Sequence, residues 1–335
     1  RRGWLLVAQL ALIFAIVGLG YSDPINEAGM MVAAAILVAF FSATQDIIID
    51  AYRREDLPDE ELGLGSSMYI YGYRMGMLLA SGGGLIMADH MPFSMVYMIM
   101  AGCMLPGVLT TLLTPEPKVS IGTPQTMKEA AVHPLLEYFS RNNALWILAF
   151  ILLYKIGDTM ASAITTPFYL DIGFSKTEIG AVVKVFGTGA TLVGALLGGI
   201  ILLRLGINRS LWIFGVLQAL STACFAVLAR IGDSVSVLSG VIAFENLSSG
   251  MGTAAFVAFM ASITNKKFTA TQYALLTSLI GIPRAVASSV TGFMATYIGW
   301  ESFFIACALI AIPGMLLLLK FAPWNSDPAM EAEVI

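Results

Sequence analysis

Apolar residues in this chain run on rather than alternate. Ten stretches, 4–20, 30–50, 64–88, 93–114, 144–168, 177–203, 209–229, 235–263, 272–297 and 302–321, approach or exceed the roughly 20 apolar residues a helix needs to cross a bilayer. Periodicity within them is weak, as expected for helices apolar on nearly every face. The pattern predicts an all-α, polytopic membrane protein of ten spans. One long polar interruption, 115–143, opens with Pro115-Glu116-Pro117-Lys118 and carries a short amphipathic stretch near Met127 to Phe139. It divides the chain into a bundle at 1–114 with four spans, a linker at 115–143, a bundle at 144–323 with six spans, and a tail at 324–335. Two-bundle transporters are built from repeated halves with the site at midplane between them. Four spans against six therefore predicts a first bundle lacking its first two helices. A rival reading takes Arg1-Arg2 and the first run as a signal peptide, for which the run is long.

Composition agrees, with 58% hydrophobic residues against 12% charged, more apolar surface than a soluble chain of this length could cover. A formal charge of −4 is too small to imply a nucleic-acid partner. Where the basic residues fall is more informative. Arg1, Arg2, Arg53, Arg54, Lys118, Lys128, Arg141, Arg204, Arg209, Lys266, Lys267 and Lys320 fall on one set of span ends and loops, and only Lys176 and Arg230 on the other. The positive-inside rule then places both ends and the 115–143 linker in the cytoplasm. Cys103, Cys224 and Cys307 lie inside apolar runs without CxxC spacing, and His90 and His133 fall in predicted loops. No metal or other cofactor is expected.

Seven ionisable residues lie well inside the apolar runs: Asp46, Asp158 and Glu245, and Arg74, Lys155, Lys184 and Arg284. At roughly 3 kcal/mol each, their gross insertion cost is about 20 kcal/mol before pairing, so they must pair or face water. Asp46 and Asp50 share a helix face at i, i+4, with Asp50 at the span margin beside Arg53 and Arg54. That proximity favours a structural or gating ion pair for Asp50. Lys155 and Asp158, three apart, read either as a self-satisfied pair or as a site in a wetted cavity. Glu245 has no basic residue within one turn. Gln45, Tyr154, Tyr169, Asn246, Ser248 and Ser249 supply hydrogen-bonding groups that suit a hydroxyl-rich solute, and taken singly each suits helix-to-helix glue better. Arg74 precedes Gly82 as Arg284 precedes Gly292, a weak internal repeat. Glycines at 72, 76, 82–84, 194 and 198 favour close helix approach, and Pro167, Pro283 and Pro313 favour kinks.

Several longer strings resemble the major facilitator superfamily, and within it the muropeptide permease family. They are Ser42 to Arg53 (SATQDIIIDAYR), Gly72 to Met77, Tyr154 to Asp158 leading to Pro167-Phe168, Gly173 to Gly180, Glu245 to Val257 and Phe268 to Leu276. Gly199 to Arg209 is similar to the superfamily's cytoplasmic loop signature, with Leu203 where the acid should stand. The resemblance implies a two-bundle transporter in which this chain matches family helices three to twelve. Asp46, the Lys155/Asp158 pair and Glu245 then sit on cavity-lining helices four, seven and ten. It further implies import of N-acetylglucosaminyl-1,6-anhydro-N-acetylmuramic acid, with or without peptide, across a bacterial inner membrane by proton symport. The expected protein is a monomer, with a muropeptide solute, protons and the lipid bilayer as partners. The pathway residues expected on this view are Gln45, Asp46, Asp50, Arg74, Tyr154, Lys155, Asp158, Lys184, Glu245, Asn246 and Arg284. An acetyl-coenzyme A or other small-solute transporter is the alternative. An integral membrane transferase is disfavoured, because neither histidine lies within a span.

Overall fold

The computed structural model describes residues 1–23, 26–88, 90–117, 126, 128–141, 143–265 and 268–324. Every regular element among them is helical. Lys118, Lys266, Lys267, most of the polar part of the linker and the tail from 325 lie outside the described residues.

Six stretches among the described residues are long and apolar enough to cross a membrane: Arg2–Tyr21, Ala28–Asp56, Phe93–Leu113, Ala144–Asp171, Ile179–Ile231 and Trp300–Phe321. The fifth, at 53 residues, would be about 80 Å long as one rod, against a hydrocarbon core of about 30 Å. It breaks at Gly206, whose φ of 76° and ψ of 171° are open to a residue without Cβ. Residues 187–205 and 207–231 are therefore two helices. Val235–Ser262 is helical throughout but falls short of the six in hydropathy, because Glu245-Asn246 and several serines and glycines interrupt it.

Several apolar runs are broken within. The 64–88 run folds as Leu62–Leu78, a π-helical turn at Leu79–Gly83, and Gly84–Ala88. The 144–168 run breaks at Lys155 (φ −102°, ψ 1°) and again at Ile164 (φ −123°, ψ 15°). The 177–203 run opens with a turn of helix at Lys176–Glu178 and eight π-helical residues, Ile179–Phe186. Ser175 and Glu178 close a reciprocal cap at that entry. The Ser175 amide donates to Glu178 Oε2 at 2.9 Å, and the Glu178 amide donates to Ser175 Oγ at 3.2 Å. The two hydrogen bonds from Ser175 hold the Glu178 carboxyl below its usual pKa.

The chain forms two compact units. The first comprises residues 1–58, 72–123 and 266–273. In it Arg2–Tyr21 packs against Ala28–Asp56, Phe93–Gly102 and Leu105–Leu113. Arg2 Nε donates to Thr111 O at 3.0 Å, Arg1 pairs with Glu55, and the Tyr52 hydroxyl donates to Pro115 O at 2.8 Å. The start of the first helix and the ends of two others thus share one end of the unit.

The second unit comprises residues 59–71, 124–265 and 274–335. Its seam is Gly187–Ile231 against Val235–Ser262. Gly198 and Gly250 make the approach close: a methyl added at Gly250 would lie 2.5 Å from Thr191 O, and one at Gly198 2.8 Å from Met251 Cα. A second core gathers Phe168, Phe225, Phe303 and Phe304, all buried, with Trp300 stacked on Phe304. The linker helix His133–Ser140 buries Tyr138, whose phenol burial pushes up to about 12. Arg141 donates from there to Ile263 O at 2.8 Å. Arg209 donates to Trp324 O, and Lys320 sits over the Trp146 ring. These basic residues also gather at span ends.

Candidate functional site

The break at Lys155 places a cation and two acids together inside the second unit. Lys155 Nζ lies 3.5 Å from Asp158 Oδ2, one helical turn on, and the two side chains are 12% and 18% exposed. The ammonium also donates to Thr253 Oγ1 at 3.2 Å, on the helix that carries Glu245. Glu245 Oε2 accepts from the Ser221 hydroxyl at 2.6 Å. Gln218, buried one turn before Ser221, points its Oε1 to within 3.0 Å of where a Gly252 Cβ would stand. Its amide nitrogen has no hydrogen-bond partner among the described residues. A small pocket opens beside this group, lined by Tyr154, Asp158, Gln218, Thr222 and Cys307 among others.

Local sequence explains the assembly. Gly157 lets its helix meet the Cys307 carbonyl, and a Cβ at Gly314 would come 2.7 Å from Tyr154 Cα. Gly314 follows Pro313, a helix-interior proline that removes one backbone donor. Backbones that approach this closely leave polar side chains only each other as partners. The Lys155–Asp158 pair expected from spacing is present, and it is extended by Glu245, Ser221 and Thr253. Ser221, Gln218 and Thr253 were not singled out from sequence. The signal was there, since Gln218, Ser221 and Thr222 interrupt the apolar 209–229 run within about one turn.

Other expected pathway residues lie elsewhere. The Tyr154 hydroxyl donates to Leu211 O at 2.8 Å and its ring stacks on Phe256 at 5.4 Å, so the side chain is fixed at the edge of the pocket. Asn246 is taken up by the helix seam: its oxygen accepts from Thr191 at 2.8 Å and its nitrogen donates to Ile242 O at 3.0 Å. Lys184 is exposed on the π-helical turn. Arg284 lies on Gly281–Ile298, and its side chain is outside the described residues. In the first unit, Asp50 pairs with Arg53 at 3.1 Å, and Arg53 donates to the Tyr273 hydroxyl at 2.8 Å with its guanidinium 5.5 Å from the ring centroid. Asp46 stands exposed one turn earlier, and Gln45 beside it is partly buried, with Oε1 unpartnered among the described residues. Arg74 is half-buried on Leu62–Leu78 and forms no ion pair among the described residues.

Long apolar helices enclosing a cluster of opposed charges define a polytopic helical membrane protein. The family model of the Major Facilitator Superfamily matches residues 1–288 and 154–333. The chain is 42% identical over 321 residues to a protein of Escherichia coli named anhydromuropeptide permease, covering 95% of this chain and 65% of that relative. It is 42% identical over 339 residues to an uncharacterized protein of Haemophilus influenzae, covering 98% and 80%. A solved structure of the E. coli fucose:proton symporter superposes with a TM-score of 0.74 at 14% identity, covering 95% of this chain and 83% of that one. The chain belongs to the Major Facilitator Superfamily. It spans 65% of the length of the E. coli permease.

Proposed function

We propose that the protein is a permease of the bacterial inner membrane that imports an anhydromuropeptide, an amino sugar with or without peptide, by proton symport. The observation that carries the reading is the 42% identity to the E. coli anhydromuropeptide permease along 95% of this chain. The ten apolar runs cross the bilayer as two bundles divided at 115–143, with both ends cytoplasmic where the basic residues gather. The solute crosses by alternating access. The Lys155, Asp158 and Glu245 cluster is the polar feature of the second bundle suited to respond to protons, because paired charges among apolar helices change energy sharply with protonation. Asp46 and Gln45 face the pathway from the first bundle, and Asp50 with Arg53 closes its cytoplasmic end. Arg74, Lys184 and Arg284 are charged contacts along the route.

The test is accumulation of radiolabelled N-acetylglucosaminyl-1,6-anhydro-N-acetylmuramic acid by vesicles carrying the full-length protein, with and without an imposed pH gradient. Accumulation of unaltered solute that collapses with an uncoupler is expected. Absence of uptake with correctly inserted protein, or uptake of acetyl-coenzyme A in its place, would overturn the substrate assignment.

A further inference from the structure

The cluster leaves Gln218 short of a partner. The side chain is 5% exposed, and its amide nitrogen has no hydrogen-bond partner among the described residues. Around the position of a Gly252 Cβ the nearest atoms are Gln218 Oε1 at 3.0 Å, Gln218 Cδ at 3.7 Å and Lys155 Nζ at 3.8 Å. The amide oxygen is therefore the end turned toward the ammonium, which has only hydrogens to offer, and the nitrogen is the end turned away. A buried N–H without an acceptor is costly, and native proteins commonly satisfy such a group with ordered water.

The pocket beside Gln218 has a volume of about 10 Å³ for a water-sized sphere, close to what one water requires and too little for an organic solute. Gln218, Asp158, Tyr154 and Thr222 line it, with Gly215 and Met315 among its apolar walls. These groups select the ligand. An anion would meet the Asp158 carboxylate, a cation would meet the amide hydrogens, and an apolar group would satisfy neither. Water can accept from the amide and donate to the carboxylate. The Tyr154 hydroxyl, whose hydrogen is committed to Leu211 O, keeps a lone pair for a second donation. We propose that this pocket is a binding site for a single water molecule, which accepts from Gln218 Nε2 and donates to the Asp158 carboxylate. Asp158 pairs with Lys155 three residues before it, within the same apolar stretch. The water adds a link from Asp158 to a neighbouring helix, residues 207–231, and a bridging water of this kind holds nearly as well as a direct hydrogen bond.

This water site stands apart from the transport reading and is tested without solute. Gly215→Ala puts a methyl in the pocket wall, 3.2 Å from the Tyr154 hydroxyl oxygen and 3.3 Å from Met315 Cε, and takes the room of the water. Gln218→Met removes the N–H that needs the water, at similar side-chain length. Thermal unfolding of the full-length wild type, both single variants and the double variant in one detergent gives the coupling between the two positions. Gly215→Ala should lower the melting temperature by about 2–4 °C more in the wild-type background than in Gln218→Met, because a stranded amide adds to the steric cost only where the amide exists. Equal shifts in the two backgrounds would overturn the site. Where a variant fails to fold, hydroxyl-radical labelling of the wild-type protein in lipid by a brief X-ray pulse decides, because radiolysis of a bound water marks the side chain beside it. Tyr154 and Tyr169 are the same residue type and similarly buried, at 4% and 1% exposure, and only Tyr154 lines the pocket. Tyr154 should be labelled several-fold above Tyr169. Labelling of Tyr154 no greater than that of Tyr169 would mean a dry pocket and would overturn the proposal.

Discussion

Replacing Gly250 with alanine tests whether the Glu245 helix is held to its neighbour by backbone contact. The new methyl would meet Thr191 O at 2.5 Å, Ala195 N at 2.8 Å and Gly194 C at 3.1 Å. All three are backbone atoms of one helix, so no side-chain rotation relieves the clash and the helices must part. Forced overpacking of this kind costs about 1–3 kcal/mol. Alanine also gains about 0.5–1 kcal/mol over glycine inside a helix, which partly masks the loss. Gly240 supplies the control, since it lies on the same helix, Val235–Ser262, and a Cβ there meets nothing within 4 Å. Gly240→Ala carries the same propensity gain without the clash. The difference between the two variants is therefore about 1–3 kcal/mol, or roughly 2–10 °C in melting temperature. The assay is thermal unfolding of both variants in the same detergent, followed by thiol-reactive dye or by loss of monodispersity. Equal melting of Gly250→Ala and Gly240→Ala would refute the close seam.

Tyr273→Phe removes the hydroxyl that accepts from Arg53 and should cost about 1–2 kcal/mol, whereas Arg53→Met leaves Asp50 buried without its partner and should cost about 3–5 kcal/mol; equal melting shifts would count against a charge-pair role. Asn246→Ala should lower the melting temperature by a few degrees without changing the apparent affinity for solute, because both polar ends of Asn246 serve the helix seam; a changed affinity would return it to the pathway. Ser175→Ala should cost about 1 kcal/mol of cap stability. Because Ser175 lowers the Glu178 pKa in the folded protein, that acid stabilises the fold above its ordinary value of 4.5, and the contribution fades as pH falls through the lower folded value. Melts taken from about pH 6 down to 3 should therefore show a shallower acid-side loss in Ser175→Ala than in wild type.

Hydropathy made the helices legible because a span must be apolar along its whole length, whatever its neighbours. It also placed one of the breaks: Gly206, whose positive φ divides a 45-residue helical segment into two, falls in the 204–208 gap between two apolar runs. The Lys155 break was hidden, since the apolar pattern averages over the single residue whose backbone leaves the helix. The Ser175 to Glu178 cap was written in the sequence as a Ser-x-x-Glu pattern, because its partners are three residues apart. Glu245 marks the opposite limit. Its own helix offers no base within a turn, and its partner Ser221 comes from a helix 24 positions away along the numbering, a pairing no local pattern encodes.

The cluster sits among close backbone approaches of the second unit, and the two features depend on each other. In a bilayer, helices gain little by hiding apolar surface from lipid, so association relies on tight packing and on polar contacts between helices. Gly252 leaves room for Gln218 and the Lys155 ammonium, Gly157 admits the Cys307 carbonyl, and Gly314 admits the Tyr154 backbone. Bulkier residues at these points would push the helices apart and let Lys155 drift from Asp158. Close packing instead holds the charges near fixed positions. It follows that a large-to-small or charge-deleting change in the cluster loosens the helix group as well as altering the charges it holds. Near-isosteric changes such as Glu245 to glutamine and Asp158 to asparagine separate the two effects, because they remove a charge while leaving the backbone seams as they are.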